Sequence, residues 1–205
     1  MNELSQKKTC TEVQETLHAL PKGLPAIYSR MLLQVENSRR RVSSLILRWV
    51  TMAIRPLTLP ELAAVVGIQS STHISSNQAI RDQITLCGYF LKIQHQEVSL
   101  VHQSARDYLL RENPDDSPIL EEFRIKPEKT HFELARVCLD YIQKSILLHK
   151  PLDIEISLPE ESPLLSYAAL YWPEHARCCS LYAKDIFDLS RPFFQKKSAL
   201  RDELV

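Results

Sequence analysis

Glycine is the scarcest residue type here relative to ordinary usage, with three in 205 residues at Gly23, Gly67 and Gly88. A loop that cradles phosphate needs two or three glycines within a few residues, because only they let several backbone N–H groups converge on one anion. No two of these three lie that close, which excludes both the dinucleotide fingerprint and the Walker loop. Long apolar runs are also lacking. Arg48, Arg55 and Glu61 interrupt the best stretch, so nothing approaches the ~18 residues of a membrane span. The opening residues, Met-Asn-Glu-Leu-Ser-Gln-Lys-Lys, contain no apolar core of a secretory signal. Charge of one sign is not in excess: Lys+Arg and Asp+Glu are 25 each, so no global field attracts nucleic acid. Paired cysteines are missing as well. Cys10, Cys87, Cys138, Cys178 and Cys179 are odd in number and lack paired spacing, which reads as reduced thiols in a cytoplasmic protein.

What is present is a helical pattern. Glu12, Glu15 and Leu17 to Leu20 predict a first helix, broken at Pro21-Lys22-Gly23. Pro25 suits the first turn of a second, carrying Ile27, Met31 and Leu32. In the third, Val42, Leu45, Ile46, Trp49, Val50 and Ala53 form one apolar stripe, and Pro56 ends it. Thr58-Leu59-Pro60-Glu61 is a capping box for a fourth, stopped by Gly67. After a polar loop from Gln69 to Ser75, Ile80, Ile84 and Cys87 share a helix face, ended by Gly88. Alternation from Tyr89 to Ile93, a turn at Gln94-His95-Gln96 and alternation through Val98 and Leu100 predict a β-hairpin.

Three helices and then a hairpin is the order of a winged helix, which the closing helix Ser104 to Arg111 completes. The expected fold is therefore mainly α with one small β-hairpin, a winged helix followed by a helical subdomain. Residues 1–37 are expected as a helical segment, 38–111 as the winged helix, 112–129 as an exposed linker and 130–205 as the helical subdomain. The linker is marked by Pro114, Pro118 and Pro127 and by six acidic against three basic residues. In the last part, Thr130-His131-Phe132-Glu133 reads as a second capping box opening a helix to about His149. Ser162-Pro163 opens another that is apolar almost all round from Leu164 to Trp172, so it needs cover on several sides. Pro173 allows a kink or a new start for a charged helix from His175 towards Phe187.

Several motifs occur together in order. They are Leu20-Pro21-Lys22-Gly23-Leu24 with Ile27-Tyr28, Ile46-Leu47-Arg48-Trp49-Val50, and Arg55-Pro56-Leu57-Thr58-Leu59-Pro60-Glu61-Leu62. Val101-His102-Gln103-Ser104 with Asp107-Tyr108-Leu109 follows, then Tyr167-Ala168-Ala169 with Tyr171-Trp172 and His175. From about Leu17 to His175 the chain resembles the segment after the nucleotide-binding core of fungal NACHT-type STAND ATPases, relatives of the NOD-like receptors. That segment also bears the name of the GPI inositol-deacylase winged helix, which implies no deacylase chemistry in it. The resemblance implies a non-catalytic regulatory module that packs against a NACHT ATPase, in cis or in trans, to hold a resting state. Residues 1–37 would then be the tail of that ATPase module. The resemblance further implies ADP or ATP on the ATPase alone, no cofactor in this chain, and ankyrin or WD repeats as possible downstream neighbours. It assigns His102 a contact to the β-phosphate of ADP when the core is present.

The other candidates have plainer readings. His102, Ser104 and Asp107 invite a hydrolase triad, but no nucleophile elbow or oxyanion hole surrounds Ser104; Ser104 reads instead as the N-cap of the closing helix, with Asp107 at N3. Glu174, His175, Cys178 and Cys179 have helical spacing but no second ligand pair, so no metal is expected. Arg39-Arg40-Arg41 belongs to a stretch from Lys22 to Arg55 with seven basic residues and one acidic, read as a solvated or domain-contact surface. The alternative, a stand-alone nucleic-acid-binding winged helix, needs base on its third helix and wing. Arg81 with Asp82, and Lys92 with Glu97, sum to zero there, so no specific nucleic acid and no membrane are expected as partners. The expected core includes Ile46, Trp49, Leu62, Leu91, Tyr108 and Trp172. In the isolated chain, His102→Ala is expected to leave stability almost unchanged.

Overall fold

The computed structural model describes residues 23–68, 75–144, 162–188 and 192–194. The helix expected over Glu12–Leu20, most of the Gln69–Ser75 loop and the stretch beyond Lys144 towards His149 lie outside the described residues.

Helix α1 (Leu24–Leu33) begins with Pro25 in its first turn. Tyr28 and Leu32 on it, and Val35 just after it, are buried in the winged-helix core. Helix α2 (Asn37–Met52) is buried on more than the expected stripe, because Ser43, Leu47, Thr51 and Met52 are covered as well as Ile46 and Trp49. It lies between the winged helix on one side and the helical pair on the other, so one helix serves two packing faces.

Strand β1 (Leu57–Thr58) runs into α3 (Leu59–Val66). The Thr58–Glu61 capping box forms, and Gly67 closes the helix with a left-handed φ of 77°, a conformation only glycine adopts without strain. Helix α4 (Ser76–Thr85) takes its cap from Ser75. The hairpin is β2 (Leu91–Gln94) and β3 (Glu97–Leu100), with Ile93 opposite Val98 and Leu91 opposite Leu100. Its two-residue turn, His95-Gln96, has positive φ at both positions, the geometry that matches strand twist. The unexpected β1 pairs with β3, Leu57 opposite Val98, giving a three-stranded antiparallel sheet in the order β1-β3-β2.

Helix α5 (Gln103–Leu109) follows, and the chain then departs from the expected linker. Helix α6 (Pro118–Glu121) lies inside residues 112–129, and Leu120, Phe123 and Ile125 are buried. The Ile125 N–H donates to Leu109 O at 2.8 Å, and Ser44 Oγ–H donates to Glu122 O at 2.7 Å. Prolines and charge mark a loop, yet three apolar side chains outweigh them by reaching the core.

Helix α7 (Pro127–Lys144) starts three residues before the expected Thr130 box, because Pro127 already fixes a helical φ; Thr130 is buried one turn inside. Helix α8 (Leu165–Arg177) runs through Pro173 without a new start. Past Arg177, a 3-10 turn (Ser180–Tyr182) and short α9 (Ala183–Ile186) replace the charged helix expected towards Phe187, and a further 3-10 turn spans Pro192–Phe194. His131 near the start of α7 meets His175 near the end of α8, so the two helices run antiparallel. The buried apolar residues form one contiguous core from Tyr28 to Phe193.

Candidate functional site

After β3 the Val101 N–H donates to Phe90 O at 2.9 Å, and the backbone is extended at His102. His102 then caps α5: the Ser104 N–H donates to His102 Nδ1 at 3.1 Å. The expectation that Ser104 is the cap is corrected by two residues, since the helix begins at Gln103 and the imidazole takes the capping role. A backbone N–H can only donate, so Nδ1 is an acceptor and the neutral ring carries its proton on Nε2. Ser104 Oγ also lies 2.7 Å from Nδ1 and 2.8 Å from Tyr28 Oη. The consistent ordering is Tyr28 donating to Ser104 and Ser104 donating to His102. A parallel link runs from Tyr108 Oη to Ser29 Oγ at 2.9 Å, and Ser29 donates to Pro25 O at 3.0 Å. Two tyrosines thus tie α1 to α5, one of them at the cap.

His102 and Ser104 are brought together, but Asp107 is not. It accepts from Gln103 Nε2 at 3.1 Å, and His102 Nε2 meets no described group. Beside the cap lies a mainly apolar cavity of about 560 Å³ between α1, α5 and residues 113–115, with Tyr28, Ser29 and Tyr108 among its walls. Arg111 also lines it. Its guanidinium already donates to Tyr108 O and Leu120 O and lies 3.7 Å from Glu121. Around this junction large apolar side chains face outward: Val101 next to His102, Tyr89 at 72% exposure, and Leu24, Ile27 and Leu33 on α1. Tyr89 has a φ of 63°, rare for an aromatic. This breaks the expected alternation, turning Phe90 rather than Tyr89 into the core.

The second constellation joins two sequence motifs more than a hundred residues apart. The Ile54 N–H donates to Tyr167 Oη at 3.1 Å, and Tyr167 Oη–H reaches His175 Nε2 at 2.9 Å. His175 Nδ1 lies 2.8 Å from His131 Nδ1. Arg55 pairs with Glu61 through two bonds, of 2.9 and 2.5 Å, and its guanidinium lies over the rings of Tyr167 and Tyr171. Burial alone would raise the Glu61 carboxyl, but the Arg55 bonds and the Thr58 backbone bond outweigh it and hold it below its ordinary range. Burial pushes His175 down to about 4, with His131 adding to the effect. His131 is lowered too, by burial and then by the charge of Arg106.

The other sequence candidates disperse. Glu174 pairs with Arg177, Cys178 is exposed, and the buried Cys179 thiol donates to His175 O. Among the described residues no three His, Cys, Asp or Glu groups could hold a metal. Arg81 is held by Gln96 and Asp82 by Gln78. Of the expected core, Ile46, Trp49, Leu62 and Tyr108 are buried, whereas Leu91 and Trp172 are partly covered. Trp172 packs against Phe193 and Phe194. No described helix is long and apolar enough to cross a membrane. His131 and Tyr28 were legible only as members of local motifs, since neither sits in a spacing that marks its hydrogen-bonded partner.

Comparison with known proteins agrees with this geometry. The family described as "GPI inositol-deacylase, winged helix domain" matches residues 28–124. The vegetative incompatibility protein HET-E-1 of Podospora anserina is 28% identical over 184 residues, covering 78% of this chain and 13% of that protein. The azaphilone pigments biosynthesis cluster protein L of Monascus ruber is 30% identical over 173 residues, covering 78% of this chain and 36% of that protein. The chain therefore spans a small part of either relative. No solved structure matches it significantly. Residues 28–124 are thus similar to the GPI inositol-deacylase winged-helix family, and the likeness to the two fungal proteins runs on beyond them.

Proposed function

We propose that this chain is a non-catalytic regulatory module of a NACHT-type signalling ATPase, acting in the cytoplasm. The observation that carries the reading is His102, an exposed imidazole held by its Nδ1 as a helix cap, with Nε2 unpartnered among the described residues and apolar side chains beside it. A ring fixed through one nitrogen presents the other as a ready N–H donor to a phosphate oxygen. Everything else a nucleotide needs would come from the ATPase module, since this chain offers no phosphate loop. Tyr89, Val101 and the exposed face of α1 supply an apolar rim for that module to cover. The shared core then lets the winged helix and helical pair move as one body. A contact of this kind couples nucleotide state to domain position by about 1–3 kcal/mol.

The test uses a chain extended through the ATPase module. His102→Asp keeps a capping acceptor but sets a negative charge against phosphate. ADP should leave that variant about tenfold faster or more, with a rise in oligomer; an unchanged ADP off-rate and an unchanged monomer would remove His102 from the mechanism.

A further inference from the structure

We propose that the arginine-lined trough along α2 is a docking site for an acidic segment of a partner protein, on a different surface from His102. Two cavities, of about 540 and 200 Å³, meet at Arg48 and make the trough. Arg40, Arg41 and Arg48 of α2 line it, with Arg124, Lys126 and Lys129 from the start of α7 and the segment before it. Three carboxylates, Glu121, Glu122 and Glu133, share the lining.

Local pairing engages half of the cations, although Arg48 keeps about a third of its side chain open to a second carboxylate. Arg124 lies 2.8 Å from Glu121, while Arg48 and Lys129 share Glu133 at 3.4 and 4.0 Å. Arg40, Arg41 and Lys126 have no carboxylate within 4.0 Å among the described residues. Arg40 is nonetheless held in place, donating to Val35 O and Asn37 Oδ1 at 3.3 Å each. An arginine ordered in this way has already lost part of the freedom that binding would cost. The floor is fixed as well, since Ser44 Oγ ties α2 to the Glu122 carbonyl at 2.7 Å.

The three carboxylates argue against a nucleic acid, whose evenly charged backbone would meet Glu122 and Glu133 as well as the arginines. A peptide can place its charges selectively. Residues 37 to 48 span about 17 Å at the helical rise, the length of about five or six residues of extended chain. Arg41 and Arg48, seven residues apart, sit about 10 Å apart along the axis. That is close to the ~9 Å between residues i and i+3 of a polyproline II segment, so carboxylates at every third position fit best.

The probe is a fluorescent twelve-residue peptide with Glu at every third position, titrated by anisotropy against the full 205-residue chain. Saturable binding is expected, weakening steeply with salt. It should be lost in the peptide with Gln for Glu and reduced about tenfold or more by Arg41→Glu with Lys126→Glu. Both side chains are exposed and make no hydrogen bond or ion pair among the described residues, so the variant should keep its helical circular dichroism, and Arg81→Glu on α4 should bind as the parent does. No binding, binding unchanged by the double reversal, or a duplex DNA or anionic vesicle that binds more tightly than the peptide would each overturn the proposal.

Discussion

Tyr167 Oη lies between the Ile54 backbone nitrogen, at 3.1 Å, and His175 Nε2, at 2.9 Å. It bridges the residue just past the end of α2 to the end of α8. The ring is buried and packs edge-on against Trp49, with centroids 6.1 Å apart. Tyr167→Phe keeps the ring and removes the bridge, leaving a backbone N–H and a ring nitrogen unpaired. Such a loss costs about 1–3 kcal/mol, and urea midpoints of the two proteins measure it. An unchanged midpoint would mean that water replaces the hydroxyl.

Stability should fall on acidification because His175 is buried as a neutral ring. Its value is about 4 in the fold and about 6.5 in an unfolded chain. Between those values the unfolded chain takes up a proton that the folded one does not. Stability is therefore full above about pH 6.5, falls through that window and levels off below pH 4. The difference is on the order of 3 kcal/mol, and His131, lowered in the same direction, adds to it. His175→Gln should flatten the dependence between pH 7.5 and 5; an equal drop in both proteins would place the titration elsewhere.

His102→Ala should destabilise the isolated chain by about 0.5–1 kcal/mol, the usual cost of losing a cap. This revises the expectation of almost no change, since the structure gives the imidazole a helix end to satisfy. His102→Asp should recover most of that loss. Thermal midpoints of the three proteins separate the capping role from any contact to phosphate.

Trp49→Ala should cost about 3–5 kcal/mol, because the ring is 1% exposed and faces Tyr167 across the seam. The same mutation should therefore loosen the helical pair, seen as faster amide exchange in α8. Protection lost only within residues 38–66 would show that the two halves unfold separately.

Gly88→Ala should destabilise for two separate reasons. The backbone there has a φ of 72°, and an added Cβ would sit 3.1 Å from Met31 O. Strain of about 1 kcal/mol or more follows from the first alone. A neutral result in a denaturation series would mean that α1 shifts away from the corner at no cost.

Local signals were legible in the sequence where one residue decides the backbone. Pro25 in the first turn of α1, the Thr58–Glu61 box and Gly67 each act within one helical turn, and each helix starts or stops where its residue places it. The hairpin was legible from alternation, but β1 was not, because two residues carry no period. Residues 112–129 misled for the opposite reason: proline and charge are local signals, whereas the burial of Leu120, Phe123 and Ile125 depends on α2 and α5 arriving from elsewhere. The position of His102 could be read from its motif. Its use as a cap could not, since serine is the commoner cap and stood two residues on. The seam of Ile54, Tyr167, His175 and His131 is long-range throughout, and nothing in the spacing of those residues announces it.

The Glu61 carboxylate sits in a place where three requirements meet. It accepts from the Thr58 N–H, it completes the box that starts α3, and it neutralises an arginine lying on two tyrosine rings. With 5% of its surface exposed, it has no water to fall back on if Arg55 is lost. The consequence is evolutionary. Drift at Arg55 strands a buried anion, whereas drift at Glu61 leaves Arg55, about a third exposed, with water and the Pro56 carbonyl, so the arginine is the position less free to vary alone. In an alignment of related chains, Arg55, Glu61 and Tyr167 should be kept or exchanged together, and chains that have replaced the ion pair with apolar residues should have changed all three.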